Sequence, residues 1–262
     1  KSIEQNLEPL QRYPQTAAYF LPDGKPLAAG TVLKNPEFAR SVRLLAEKGS
    51  MPFYQGAQAQ NIVRAVTGAV DNPGKISLSD LKNYRVIERQ PVCAPYREYE
   101  VCGMGAPSSG AIALGEILGV LQNQDMKALG SENIHSWRWI GDASRIAFAD
   151  RDHYIGDPAF VNVPTRALIS QAYLKPRAEE IRQADKALEN IQAGKFGKKY
   201  AQGMAVELPS TSHLVVVDKD GNVVSMTTSI ENAFGSGLMA NGYLLNNELT
   251  DFAFNPVGAD GK

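Results

Sequence analysis

The chain has 262 residues, 44% of them hydrophobic and 21% charged, a globular composition long enough for one large domain or two small ones. A formal net charge of −1 gives no basis for a nucleic-acid or anionic-membrane partner, and a small polar substrate is the expected ligand. No apolar run reaches the roughly 18 residues of a membrane span, and the opening KSIEQNLEPLQRYP is not a signal peptide. The first residue is not Met, and both ends are expected to be cut from something longer.

In chain order, PEFARSVRLLAEKG (36–49) opens on proline and closes on glycine, which predicts a helix with Phe38, Val42 and Leu45 inward. A second helix is expected over Ala57–Thr67, and SLSD at Ser77–Asp80 resembles a capping box opening a short third. Arg85–Val92 and Tyr99–Met104 read as strands. In PVCAPYREYEVC a two-residue turn at Arg97-Glu98 would set Cys93 opposite Cys102. Two readings stand for that pair, a disulfide formed in an oxidising compartment or two half-buried thiols.

Beyond GAPSSG, the run AIALGEILGVLQ is apolar on nearly every side and predicts a buried helix capped by Ser108 or Ser109. Ser131–Asp150 predicts a long helix with Ile134, Trp137, Ile140 and Ala147 inward, and Arg166–Ala184 a shorter one. From Gln183 to Ser210 the chain turns polar, with Gly194, Gly197 and Gly203, and reads as a mobile connection too long for a tight loop. HLVVV and NVVSMTTSI, joined by DKDG, then predict a hairpin whose first strand is buried, and Tyr243–Asn247 predicts a third strand.

The hydroxyls at the end of that hairpin carry the chemistry. With the turn centred between Lys219 and Asp220, Thr211 lies opposite Thr228, and one bulge residue would set it opposite Ser229. A threonine opening a strand after a polar connection, beside a second hydroxyl, fits an N-terminal nucleophile, although threonine is also an ordinary strand former. His135, His153 and His213 show no metal-ligand spacing and read as structural. ADRDHYIGDP does not match a calcium loop, and no phosphate cradle is visible, so neither metal nor cofactor is expected.

The ordered segments FYQG (53–56), PSSG (107–110), ADRDHYIGDPAF (149–160), TSHLVVVDKDGN (211–222), FGSG (234–237) and LLNNELTDF (244–252) resemble the gamma-glutamyltransferases, or glutathione hydrolases, over nearly the whole chain. The resemblance implies an α+β fold, the αββα sandwich of N-terminal-nucleophile hydrolases, here truncated at both ends. It implies a precursor that cuts itself between Ser210 and Thr211, so that 1–210 belongs to the large-subunit region and 211–262 to the small. Thr211 would be the nucleophile, with Ser229 as its hydroxyl partner. Glu231, Glu248 and Asp251 would hold the substrate, the latter two gripping the α-amino group of a γ-glutamyl compound such as glutathione.

Two positions depart from the family pattern: Glu231 replaces a usual asparagine and Thr250 the first Asp of a usual pair. A carboxylate at 231 would repel a substrate carboxylate nearby. A related amidohydrolase acting on another acyl group, such as a cephalosporin-acylase-like enzyme, is therefore the first rival reading, and a non-catalytic domain of the same fold the second.

By the resemblance, an arginine for the substrate α-carboxylate would lie upstream of Lys1, and the oxyanion-hole glycines and a substrate-contacting serine pair beyond Lys262. Each oxyanion donor is worth about 3 kcal/mol, so the isolated chain is expected to be nearly inactive and uncut at Ser210-Thr211. The resemblance and the cysteine pair together imply a periplasmic or secreted protein.

Overall fold

The computed structural model describes residues 1–196 and 211–251, with the side chains of 250 and 251 left aside. In chain order its helices are α1 (Ser2–Gln5), α2 (Leu7–Gln11), α3 (Pro14–Phe20), α4 (Pro36–Lys48), α5 (Met51–Gln55), α6 (Ala57–Thr67), α7 (Leu78–Asn83), α8 (Gly110–Leu121), α9 (Met126–Leu129), α10 (Ile134–Tyr154), α11 (Thr165–Leu168) and α12 (Gln171–Gln183). Three separate antiparallel pairs join β1 (Val92–Tyr96) to β2 (Tyr99–Gly103), β3 (Ser212–Val217) to β4 (Val223–Thr228), and β5 (Met239–Ala240) to β6 (Tyr243–Leu244). The described residues form two compact units, one of 1–86 with 211–251 and the other of 87–196. Among the described residues no helix is long and apolar enough to cross a membrane.

In the first unit, α4, α6 and the capping box of α7 form as their sequences predict. Asn35 caps α4 by accepting from Phe38 N, and Ser77 and Asp80 satisfy each other's backbone N–H groups. The inward face of α4 differs from expectation. Phe38 and Val42 are exposed, and the buried residue is Ser41, whose hydroxyl donates to Asn241 O at 2.8 Å. A polar contact, invisible to hydrophobic periodicity, decides that face.

This contact belongs to a buried network around the tight turn between β5 and β6. Asn241 accepts from Asn61 Nδ2 at 2.8 Å and donates to Gln58 O at 3.1 Å. Asn35 Nδ2 reaches Gly242 O at 2.6 Å, and Thr16 Oγ1 reaches Gly237 O at 2.6 Å. A buried polar group left unpaired costs about 1–3 kcal/mol, so the pairing of these groups specifies how the turn seats on α3, α4 and α6. The expected third strand, Tyr243–Asn247, thus becomes a two-residue rung of its own hairpin.

In the second unit, Val120 and Leu121 of α8, Trp139, Ala143 and Ile146 of α10, and Leu174, Ala178 and Ile181 of α12 form the core. Full burial of an aliphatic side chain contributes about 1.5–3 kcal/mol. Gly119 permits the close approach of α8 to α12, because a Cβ there would lie 2.3 Å from Leu174 Cδ1.

The expected face of α10 is rotated. Ile134 and Trp137 are exposed and Ile140 is partly so, whereas Ser136, Trp139, Asp142, Ala143, Ile146, Ala147, Asp150 and Tyr154 face inward. Buried Ser136, Asp142 and Asp150 break the apolar pattern, and this misplaces the stripe. The shorter helix expected over Arg166–Ala184 is two, α11 and α12, parted at Ile169-Ser170. Ser109 occupies the N-cap position of α8 but does not cap it with its side chain, which instead accepts from Arg151 Nε at 3.2 Å.

Arg85–Val92 is not a strand, since pairing begins only at Val92. The register joins Val92 to Gly103 and Tyr96 to Tyr99, and among the described residues the ladder extends no further toward Arg85. Arg97 takes the left-handed backbone of the turn, φ 55°. Cys93 and Cys102 face each other and are joined as a disulfide, which settles the two readings left open for them.

The polar connection after α12 is held down as far as Phe196. Asp142 Oδ1 accepts from Leu188 N at 3.0 Å and Asp150 Oδ1 from Gly194 N at 2.7 Å. Arg145 donates to Leu188 O at 2.6 Å and Arg177 to Gln192 O at 2.9 Å. Leu188, Ile191 and Phe196 pack against the core clusters. These contacts tie 184–196 to the helices of the second unit; the remainder of the connection, 197–210, lies outside the described residues.

Beside Asp150, Tyr173 donates its hydroxyl to Asp150 Oδ2 at 2.6 Å, and Glu116 of α8 is fully buried. Burial, and then the Asp150 charge, push the Glu116 carboxyl up to about 10, so it is a neutral acid at pH 7. Burial and the same carboxylate raise the Tyr173 phenol, which keeps it a donor.

Two predictions follow from this core. Gly119→Ala should destabilise the unit by about 1–3 kcal/mol through overpacking, read as a lower midpoint in urea unfolding. Between the unfolded value, 4.5, and about 10, folded Glu116 holds a proton that the unfolded chain has lost. Its contribution is therefore full below the unfolded value and declines as pH rises. Glu116→Gln should flatten this decline, gaining most over wild type at the alkaline end of an unfolding series from pH 5 to 9; an equal effect at every pH would refute the assignment.

Candidate active site

The β3–β4 hairpin is built by its loop. Asp218 Oδ1 accepts from Asp220 N at 2.9 Å and Asn222 N at 2.8 Å, and its Oδ2 accepts from Asn222 Nδ2 at 2.7 Å. These contacts hold the Asp218 carboxyl below its ordinary range, the Asn222 side chain contributing most. Gly221 takes φ 82°, the left-handed residue that ends a three-residue hairpin loop. The loop is thus centred on Asp220, with Val217 paired to Val223 and Ser212 to Thr228. Of the two sequence-level registers this is the one that faces Thr211 with Ser229, and Thr211 Oγ1 donates to Ser229 Oγ at 3.2 Å.

The expectation of a buried first strand fails, because every residue of β3 and β4 is exposed. Alternation still divides the faces. His213 lies on the Thr211 side, as expected, with Nδ1 2.8 Å from Thr227 Oγ1 and Nε2 3.1 Å from Ser225 Oγ. These bonds lock the ring between two hydroxyls of the neighbouring strand.

Past β4 the chain turns sharply. Ser229 Oγ accepts from Glu231 N at 2.8 Å, a local side-chain turn. Glu231 has φ 65° and is buried. For a residue other than glycine this backbone costs about 1–2 kcal/mol, so surrounding contacts must impose it. Its Oε2 accepts from Asn247 Nδ2, while Asn247 Oδ1 accepts from Asn232 N at 3.0 Å. The sequence marks Asn247 only as one letter of LLNNELTDF, because a residue that clasps a distant turn has no periodic signature.

Thr211, Ser229 and Glu231 line one recess of about 360 Å³ with Ser212, Thr228, Ile230, Asn232 and Ala233. Glu248 is not among the lining residues; it opens the short turn of 3-10 helix Glu248–Asp251, and its N–H donates to Asn246 Oδ1 at 3.0 Å. The side chains of Thr250 and Asp251, and Ser210 on the far side of the expected cleavage point, lie outside the described residues. One group of metal-ligating types draws together among the described residues, Cys93, Glu100 and Cys102. Its two sulfurs are spent in the disulfide.

A hydroxyl pair at the open end of a hairpin and a carboxylate in the same recess sit in a mixed helix and strand architecture that covers part of the N-terminal-nucleophile hydrolase fold. The sequence profile described as Gamma-glutamyltranspeptidase matches residues 1–261, and the chain belongs to that family. It is 37% identical over 252 residues to the glutathione hydrolase proenzyme of Escherichia coli K12, covering 95% of this chain and 42% of that relative. Identity is also 37%, over 253 residues, to the Acylase ACY 1 proenzyme of Pseudomonas sp. V22, covering 93% and 43%. The crystal structure of Helicobacter pylori gamma-glutamyltranspeptidase superposes with a TM-score of 0.70 at 32% identity, over 75% of this chain and 56% of that one. The chain thus spans less than half the length of these two sequence relatives.

Proposed function

We propose that the protein to which this chain belongs is a gamma-glutamyl acyltransferase and hydrolase that acts through a Thr211 acyl-enzyme. The Thr211–Ser229 hydroxyl contact carries the reading, in the recess that also holds Glu231. In self-processing, Thr211 Oγ attacks the Ser210 carbonyl carbon and the peptide C–N bond breaks. The ester so formed is hydrolysed, leaving a carboxylate on Ser210 and a free amine on Thr211. An α-amine with a pKa near 8 can then take the proton of its own hydroxyl, so one residue serves as nucleophile and base.

In turnover, Thr211 Oγ attacks the γ-glutamyl amide carbonyl, and the departing amine carries away a proton. Water, or the amine of an amino acid or peptide, then releases the acyl group from the ester. Ser229 accepts a hydrogen bond from the nucleophile and orients it. Glu231, Glu248 and Asp251 would hold the substrate's ammonium through charge-assisted hydrogen bonds. No cofactor enters these steps.

Processing would yield a large piece ending at Ser210 and a small one starting at Thr211. The contacts of Thr16 and Ser41 with the turn at Gly237 and Asn241 support their staying together, since they join residues from opposite sides of the cut. The Cys93–Cys102 disulfide supports a periplasmic or secreted protein.

Full-length protein should run as two bands on a denaturing gel and Thr211→Ala as one, with release from a γ-glutamyl anilide falling on the order of 10⁴-fold or more. An unprocessed wild type, or an active Thr211→Ala variant, would sink the reading. The carboxylate at 231 and the acylase relative favour one alternative, hydrolysis of another acyl group. Processing intact, no release from the anilide and turnover of a different amide would decide for it.

A further inference from the structure

Glu231 is held in an unfavourable backbone conformation inside the Thr211 recess, and one side chain engages the turn around it. Asn247 N donates to Ile230 O at 3.3 Å, Asn247 Nδ2 donates to Glu231 Oε2, and Asn247 Oδ1 accepts from Asn232 N at 3.0 Å. Three hydrogen bonds from one residue thus meet three consecutive residues. We propose that Asn247 is a positioning residue of this site, which imposes the left-handed backbone at Glu231 and aims its carboxylate at the substrate ammonium.

The chemistry of the amide suits this task. A carboxamide offers a donor and an acceptor in one plane, and the clasp uses both, one toward a carboxylate and one toward a backbone N–H. An aspartate would keep the acceptor and lose the donor; an aliphatic side chain would lose both. The influence reaches the hydroxyl pair too, because the turn that Asn247 holds is the one in which Glu231 N donates to Ser229 Oγ at 2.8 Å.

Asn247 is itself well anchored. Leu245 N donates to Leu238 O at 2.9 Å and Ser236 N to Leu245 O at 2.9 Å, tying the chain just before it to the preceding segment. The far end of the same hairpin is gripped at Asn241 and Gly242 by Ser41, Asn61 and Asn35. A continuous run of hydrogen-bonded groups therefore connects α4 and α6 to the carboxylate in the recess.

The proposal rests on the reading that Glu231 binds the ammonium of the acyl group, and its test uses the full-length protein with a γ-glutamyl anilide. Asn247→Ala should raise KM between about 10- and 100-fold, the worth of a hydrogen bond to a charged group, while kcat changes less than about 3-fold. In a Glu231→Ala background the same change should raise KM less than about 3-fold, since the group it positions is gone. Asn247→Asp, which keeps the acceptor for Asn232 N, should fold and yet bind no better than Asn247→Ala. Equal factors in both backgrounds, an unchanged KM, or wild-type binding by Asn247→Asp would overturn the assignment. Loss of soluble, processed protein in both variants would place Asn247 in the fold instead and overturn it equally. Wild-type KM in Glu231→Ala alone would mark a failure of the substrate-binding reading, and the proposal falls with it; additivity beside a Glu231→Ala defect would sink Asn247 alone.

Discussion

The arrangement at the Thr211 recess depends on the register of one hairpin. Side chains alternate along a strand with period two, so a slip of one residue sends each of them to the other face. Asp218, by accepting from two backbone N–H groups and the Asn222 amide, commits the loop to three residues with Gly221 left-handed. That choice sets Ser212 against Thr228 and brings the Thr211 and Ser229 hydroxyls together. A two-residue turn in the same place would have left Thr211 facing Thr228. The geometry of the hydroxyl pair is therefore decided at the opposite end of the hairpin, by a surface carboxylate.

Buried polar groups perform the same service elsewhere in the chain. In the first unit, Ser41, Asn61 and Asn35 hold the turn at Asn241 and Gly242, and so anchor the hairpin beyond which Asn247 reaches Glu231. In the second, Asp142 and Asp150 hold the segment after α12 by its backbone at Leu188 and Gly194. Apolar packing would keep such segments near the core without specifying their register. Hydrogen bonds select one arrangement, because a buried group left without its partner is costly.

The carboxylate at residue 231 bears on the substrate. Residue 231 adopts a left-handed backbone, a conformation asparagine populates more readily than glutamate. An asparagine at this position would suit the backbone better, and a glutamate there needs external support, which the contacts of Asn247 supply. The carboxylate adds negative charge to a recess otherwise lined by hydroxyl-bearing and uncharged residues, which favours an ammonium over a carboxylate as its partner.

Local chemistry made much of the chain legible from its letters. Proline and glycine bounded α4, the Ser77 and Asp80 pair opened α7, and DKDG between β-branched runs marked the central hairpin, all by interactions within a few residues. The threonine just before β3 and the ordered family segments pointed to the candidate nucleophile in the same way. Other features needed distant partners and could not be read. The face of α10 turned on buried Ser136, Asp142 and Asp150, whose polar side chains mimic a solvent-facing stripe. The stretch Arg85–Pro91 had strand composition but pairs with no strand among the described residues. Segment 184–196 was polar in composition yet pinned through its backbone, which carries no sequence signal. Sequence alone determined which residues had the chemistry for the site, because hydroxyl, carboxylate and turn propensity belong to individual side chains. Tertiary structure decided which of them meet, because the register at Ser229 and the clasp of Asn247 on Glu231 arise only when residues far apart in the chain share hydrogen bonds.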